Sequence, residues 1–459
     1  MTERAREQIR DIRVASGRRA IVLDDDPTGS QAVHDVELVF TDDTRDIANA
    51  IDRVNSTCFV LTNSRSLDPE TARALSYRLS SEALAMGESG EFGIDIVSRG
   101  DSTLRGHTYL ESRAVADARR AITGKEPDGI LFAPAFFEAS RRTVGDTHEA
   151  RIGARWMPVG NTEFAGDTTF SYSSSDLRDY LEENSAGKLD RNEVLSLSLE
   201  TIRAGRDHIR KVLVSAAGRF VVINGESYDD FDEVALVQNE LQAEGYDFVL
   251  RSGPSYVRSL TGIEPRPPLT HQELHTGRRG AIVVGSHVST TTEQLAVLRA
   301  HHSMPEFGVD VREIVDPRAR VNYLDDLTRR VLESASDSDV LIYTTRTVER
   351  GLNKQENLRI ARLVSDALVQ LVSSLASSEL GWLVAKGGIT SHDLAARGLG
   401  IRRARLLGQA FPGLVSVIDP IESDSGVVDM RYVIFPGNVG GADALSDVVG
   451  RLTSRPRAR

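Results

Sequence analysis

The sequence predicts an α/β protein of two domains, each a largely parallel sheet with flanking helices. Three observations carry this. Strand-like apolar runs alternate with helical ones along the chain, the pattern that parallel strands with crossover helices impose. The chain has 459 residues, more than one ordinary hydrophobic core serves. Between two such alternating series lies TGIEPRPPLTHQELHTGRRG, 261–280, which is Pro-rich, polar and without clear period, and reads as a linker. The expected division is 1–262 for the first domain, 263–280 for the linker and 281–459 for the second domain.

Taken in order, the strands of the first series read RAIVLDD, CFVLTNS, FGIDIVS, GILFAPA, RFVVING and YDFVLRS. Each ends in polar or small residues. Ligands of parallel sheets gather beyond the carboxyl ends of strands, so these ends are where function is sought. Between them, DPETARALSYRLSSEALAM predicts a helix with Asp68 as N-cap and Pro69 at its first position. Residues 153–200 are less regular and partly Ser/Thr-rich, and read as a long loop or a small lid. The second series runs through AIVVGSH, a helix from TTTEQLAVLRA, VLIYTTR, a long helix through NLRIARLVSDALVQLVSSLA, GWLVAKGG, SHDLAARGLG and RYVIFPGNVGG before a last helix. The tail TSRPRAR reads as disordered.

Composition excludes several classes. No apolar run approaches the roughly 18–20 residues of a membrane helix. The opening MTERAREQIRDIR is charged and shows no secretory signal. A single cysteine, Cys58, excludes an intramolecular disulfide and a Cys-based zinc site; it opens the apolar run CFVLT and reads as a small buried hydrophobe. A cytoplasmic location is expected, because one unpaired cysteine suits a reducing compartment. The net charge of −12 gives no broad attraction to nucleic acid or anionic membrane, so any bound anion needs a local basic pocket. Five of the 55 basic residues are lysines, so Lys386 in a Gly-rich loop stands out.

The first chemical constellation is RAIVLDDDPTGSQ. A strand ends on Asp24, Asp25 and Asp26, followed by Pro27, Thr28, Gly29 and Ser30. Clustered carboxylates repel unless a cation or a donor-rich ligand offsets them, so the cluster suits a general base, a hydroxyl-rich substrate or a hard metal. An acidic turn or helix cap is the bland alternative. The second is SRGDSTLRGH, 98–107. Arg99 and Arg105 present planar forks to carboxylate or phosphate, Asp101 accepts from hydroxyls, and Ser102 and Thr103 donate. His107 or Thr108 starts a helix whose N-terminus favours anions. A solvated turn explains one arginine better than it explains the whole decapeptide. The third, APAFFEASRRTVGDTHEA, adds Arg141 and Arg142; His148 reads equally as an acid–base group or a surface histidine.

The second series carries three strand-to-helix loops of one character. GSHVSTTTEQL offers Gly285 and Ser286; AKGGITSHD offers Lys386, Gly387, Gly388 and Thr390; FPGNVGGADAL offers Gly437, Asn438, Gly440 and Gly441. Glycine lets backbone amides approach phosphate, and helix starts favour anions, so three such loops read as a nucleotide site. None matches GxxxxGK[ST] or GxGxxG, which disfavours a P-loop enzyme and an ordinary Rossmann dehydrogenase.

These loops together resemble the four-carbon acid sugar kinase family of threonate, erythronate and 3-oxo-tetronate kinases. The likeness is carried by LDDDPTGS, GDSTLRGH, RSGPSYVRSL, GSHVSTTTEQL, KGGITSHDLA and FPGNVGG, in order over residues 21–445. The resemblance implies an N-terminal sugar-acid-binding domain and a C-terminal nucleotide-binding domain, with ATP as phosphoryl donor and Mg²⁺ as cofactor. It implies Asp25 and Asp101 as the catalytic pair, one of which accepts the proton of the attacked hydroxyl, and substrate contacts from Asp24, Asp26, Thr28, Arg99, Ser102, Thr103, Arg105 and Arg141. Nucleotide contacts then fall to Gly285, Ser286, Lys386, Gly387, Gly388, Thr390, Gly437, Asn438 and Gly440. The metal ligands stay open, and a homodimer is allowed. Two positions depart from the family pattern: Phe435 stands where many members carry Lys, and Arg99-Gly100 where they often carry Lys. Arg99 replaces the charge; Phe435 does not, which shifts the phosphate contact to backbone amides or Lys386.

Two rival readings remain. AIVLDDDPTG also fits the nucleophile strand of haloacid-dehalogenase-type phosphatases through Asp24 and Asp26, but this leaves the second domain without a role. A non-catalytic sugar-acid sensor is the other.

Overall fold

The computed structural model describes residues 2–26, 29–286, 288–345, 354–411, 415–437 and 439–453. The expected disordered tail lies outside them, apart from Thr453. The chain divides into two compact units, Met1–Arg266 and Pro267–Arg459.

The strands of the first unit are β1 (Arg19–Asp24), β2 (Val36–Val39), β3 (Thr57–Leu61), β4 (Ile94–Arg99), β5 (Gly129–Ala133), β6 (Arg141–Val144), β7 (Thr147–Ile152), β8 (Arg155–Pro158), β9 (Leu195–Leu197), β10 (Phe220–Ile223) and β11 (Phe248–Ser252). Eight form one sheet in the order β2-β3-β1-β4-β11-β5-β10-β9, and every pair in it is parallel. Helices cover both faces of such a sheet, so its central strands read as unbroken apolar runs. Ile21, Val22 and Leu23 of β1 are all buried. Burying each side chain of that size contributes about 1.5–3 kcal/mol. The chain adds β2 and β3 on one side of β1 and then crosses over to add β4 on the other, the arrangement that opens a crevice beyond the strand ends.

The helix Pro69–Gly90 starts as its sequence predicts: Asp68 accepts from the amides of Glu70 and Thr71. Residues 141–158 form a separate antiparallel sheet, β6-β7-β8. The stretch 153–200 is neither a bare loop nor a lid. It contributes β8, the helix Leu177–Asn184 and the edge strand β9, and its Tyr172, Leu177, Tyr180 and Leu181 enter the core.

The second unit holds β12 (Gly280–Val284), β13 (Glu306–Val309), β14 (Val340–Thr344), β15 (Trp382–Lys386), β16 (Ile401–Phe411), β17 (Val415–Ser423) and β18 (Arg431–Phe435). They follow the order β13-β14-β12-β15-β18-β17-β16. The first five in this order pair in parallel, and β17 runs antiparallel to both neighbours. Residues 267–279, within the stretch read as linker, belong to this unit. They carry a short helix, His271–Leu274, closed by a capping box between Thr270 and Glu273. Among the described residues no helix is long and apolar enough to cross a membrane.

Candidate active site

In the first unit, strand register brings the functional residues level. Asp24 pairs with Leu61 on one side and Arg99 on the other, and Arg99 pairs with Ser252. The carboxyl ends of β3, β1, β4 and β11 therefore present one row of polar residues.

The acidic triplet is offset by arginines. Asp24 is fully buried, and Arg99 Nη1 donates to its Oδ1 at 2.9 Å. Burial pushes the Asp24 carboxyl up to about 7; Arg99 opposes this, while Asp25 and Asp26 add to it. Asp25 receives Arg65 Nη2 at 2.6 Å, with Arg99 Nη1 at 3.5 Å and Arg251 Nη2 at 3.8 Å from its carboxylate. Asp26 receives Arg65 Nη1 at 3.1 Å. The cation that clustered carboxylates require is thus supplied by the protein. Arg99, expected to meet substrate, is buried and paired with Asp24, whereas Arg105 and Arg141 are half-buried. Thr28 lies outside the described residues.

Arg251, at the end of β11, donates to Glu111 Oε2 at 2.7 Å and Ser98 Oγ at 2.8 Å. A side chain on Gly100 would collide with this guanidinium, so glycine is required where the loop passes over it. Beyond Gly100, Asp101 accepts from the Thr103 hydroxyl and from Arg105 Nε, the latter at 2.7 Å. Burial alone would raise its pKa, but Arg65 and Arg105 hold the carboxyl well below the usual range. Arg141 Nη1 donates to Ser102 Oγ at 3.0 Å, while its buried Nε has no partner among the described residues. Burial, with Arg105 and Arg99 nearby, pulls the Arg141 pKa below its ordinary value. Arg105 and Arg141 both lie over the Phe164 ring, at 5.7 and 5.5 Å from its centroid. Asp101, Ser102, Thr103, Arg105 and Arg141 therefore form one cluster.

His148 is neither an acid–base group nor a surface residue. It is fully buried, its Nε2 faces Ser102 O at 2.8 Å and its Nδ1 faces Thr143 Oγ1 at 3.0 Å. Burial lowers its pKa to about 4, so the ring is neutral and donates from Nε2.

In the second unit the three Gly-rich loops converge. Val284, Lys386 and Phe435 end adjacent strands in register. A side chain on Gly285 would collide with Thr390, and one on Gly437 with Ser286, so the loops touch through their glycines. Gly387 follows Lys386 in this cluster, and its added side chain would also meet Thr390. Space around Gly388 is open, and Gly440 lies against Ala444. Thr291 Oγ1 donates to Gly437 O at 3.0 Å, and Gln294 Nε2 to Val439 O at 3.0 Å and Gly441 O at 2.9 Å. Asn438 lies outside the described residues. Lys386 is fully buried; its Nζ donates to Pro436 O at 3.1 Å and Gly437 O at 3.3 Å and sits 4.1 Å from the Phe435 ring centroid. Burial lowers its pKa to about 7, and among the described residues no carboxylate pairs with it. A buried amine among glycine-lined loops, without a carboxylate partner, fits an incoming polyphosphate.

Residues 20–260 match a family described as a sugar-binding N-terminal domain, and residues 281–445 match a nucleotide-binding C-terminal domain. The chain belongs to the four-carbon acid sugar kinase family. A similar protein is the D-erythronate kinase of Heliobacterium modesticaldum, 25% identical over 383 residues that span 77% of this chain and 80% of the relative. A solved structure from Haemophilus influenzae has a TM-score of 0.65 at 15% identity, covering 94% of this chain and 99% of the other. One from Salmonella typhimurium LT2 has a TM-score of 0.69 at 16% identity, covering 95% and 100%. In this four-carbon acid sugar kinase the acid–arginine cluster lies in the sugar-binding part and the three loops in the nucleotide-binding part.

Sequence reasoning missed Arg65, Arg251, Glu111, Thr291 and Gln294. Arg65 and Arg251 sit after or within strand ends already singled out, so the rule that found Arg99 reaches them too. Thr291 and Gln294 lie within the GSHVSTTTEQL motif but were not singled out in it, and Glu111 lies on a helix and carries no local signal.

Proposed function

We propose that this kinase transfers the γ-phosphoryl group of ATP to a hydroxyl of a four-carbon sugar acid of the erythronate or threonate type. The observation that supports it most is the Asp101–Arg105–Arg141 cluster. It offers guanidinium donors for a carboxylate beside a fixed carboxylate for a hydroxyl. The D-erythronate kinase relative points to the same substrate class.

In this reading Arg105 and Arg141 grip the substrate carboxylate, with Ser102 and Thr103 beside them. Asp101, held ionised by its arginines, is a good acceptor and orients the hydroxyl. Asp25 takes the hydroxyl proton as the new O–P bond forms and the bond to the β-phosphate oxygen breaks, releasing ADP. Asp26 and Thr28 complete the substrate side, while Asp24, expected to touch substrate, is buried against Arg99 and backs them from behind. Lys386 and the loops of Gly285, Ser286, Gly387, Gly388, Thr390, Gly437, Asn438 and Gly440 hold the phosphates. Positioning and charge compensation do most of the work in phosphoryl transfer. Among the described residues no cluster of three or more His, Cys, Asp or Glu gathers as a metal site. Magnesium would come to this site with the nucleotide's phosphates rather than on a dedicated protein cage, and would supply charge neutralisation there. A phosphatase nucleophile must be reachable, and the buried, arginine-paired Asp24 is not.

The test is ADP release from ATP and Mg²⁺ with a panel of D-erythronate, D-threonate and L-threonate. Release that requires one of the acids is expected. Release indifferent to every acid, or phosphate release from a sugar phosphate without ATP, would overturn the reading. Asp25→Ala and Arg105→Ala should abolish turnover and spare ATP binding.

A further inference from the structure

Three side chains from one stretch of the first unit tie back three consecutive carbonyls of the loop that carries Asp101. His148 Nε2 donates to Ser102 O at 2.8 Å, Tyr172 Oη to Thr103 O at 2.8 Å and Tyr180 Oη to Leu104 O at 2.6 Å. All three donors are buried. Tyr172 packs edge-on to Tyr180 with centroids 5.6 Å apart, and Tyr180 stacks on Phe132 at 6.1 Å.

The loop needs such support. Residues 101–107 belong to no strand or helix, so no ladder takes these carbonyls, and buried carbonyls require partners. Leu104 has a φ of 67°, a region that bulky side chains avoid. Local propensity therefore works against the loop's shape. Yet this shape sets Asp101, Thr103 and Arg105 side by side and turns Ser102 toward Arg141.

We propose that His148, Tyr172 and Tyr180 are positioning residues for the sugar acid, acting through the backbone of the 101–105 loop. The inference rests on reading that loop as the sugar-acid site. Each removed hydrogen bond lets the loop leave its competent conformation. Apparent affinity is the intrinsic affinity scaled by the competent fraction, so the effect falls on KM for the acid. A saturating acid recovers the competent loop, which leaves kcat little changed. Nucleotide binding, assigned to the second unit, is untouched.

Tyr172→Phe and Tyr180→Phe keep each ring and remove one oxygen. With D-erythronate, D-threonate and L-threonate as acceptors, each variant should raise KM for the acid used by roughly five- to 150-fold, the range expected for one buried carbonyl left unpaired. The double variant should raise it further. KM for ATP and kcat at saturating acid should stay within about twofold. His148→Gln, whose amide can still donate to Ser102 O, should lose less than His148→Ala. Phe variants with wild-type KM for the acid would overturn the proposal while leaving the kinase reading intact. So would a loss shared equally by acid KM, ATP KM and melting temperature, which marks a general packing role. A wild-type protein that turns over none of the acids would overturn both.

Discussion

Lys386→Met removes a buried amine and keeps a side chain of similar length. The unfolded chain holds this amine near its ordinary 10.5, whereas burial in the folded unit lowers it to about 7. Between these values the unfolded state binds more protons, so the group makes stability rise with pH across that window. At pH 7 the folded lysine is therefore a liability. At about 1.4 kcal/mol per pH unit, the span gives an upper bound of about 5 kcal/mol. The lysine also donates to Pro436 O and Gly437 O and lies over Phe435. Losing those contacts offsets about 2–3 kcal/mol. The net expectation is a nucleotide-free variant up to about 2–3 kcal/mol more stable at pH 7. That gain should shrink toward pH 10.5 as the amine becomes neutral in both states. Thermal melts of both proteins across this range, without nucleotide, measure it. The same variant should bind ADP more weakly than wild type. A variant less stable than wild type at every pH would show that the ammonium is well accommodated, and the argument for a phosphate-seeking lysine would fail.

Arg65→Met should cut sugar-acid turnover by about a hundredfold or more, because it leaves Asp25 and Asp26 without their closest cation; unchanged kcat/KM would remove Arg65 from the site. His148 titrates near 4 when folded and near 6.5 when unfolded, so acidification through that window should cost up to about 3 kcal/mol of stability. His148→Gln should flatten the pH slope of melting temperature there, and identical slopes would refute the assignment. Gly388→Val enters open space and should weaken nucleotide binding with little effect on melting temperature, whereas Gly285→Ala meets Thr390 and should lower both. Equal behaviour of the two variants would contradict the loop geometry.

The parallel sheets were legible because their strands are buried on both faces and stand out as apolar runs. The candidate residues at their ends were legible for the same reason: polar groups that terminate such runs are out of place. Pairing was not. Nothing local shows that Arg99 turns inward to Asp24 while Arg65 reaches Asp25 and Asp26, since a guanidinium's partner is set by strand order. Edge strands β2 and β9 are too short to stand out. The β16–β17 hairpin interleaves Arg402, Arg403 and Arg405 with buried Ala404 and Leu406, which weakens its apolar signal. Tyr172 and Tyr180 sit in an irregular stretch where aromatic residues look incidental, and only tertiary contact reveals what they hold.

The tie-back of the 101–105 loop separates two tasks that a strand end usually combines. The sheet supplies the carboxylates, so their placement is inherited with the whole scaffold. The excursion between β5 and β10 supplies the donors that shape the neighbouring loop, and most of it lies outside the eight-stranded sheet. Insertions, deletions or aromatic exchanges in that excursion can therefore re-aim Arg105 and Asp101 while every central strand keeps its register. On the proposed reading, acceptor preference in this architecture can shift through that excursion without any change to the central strands.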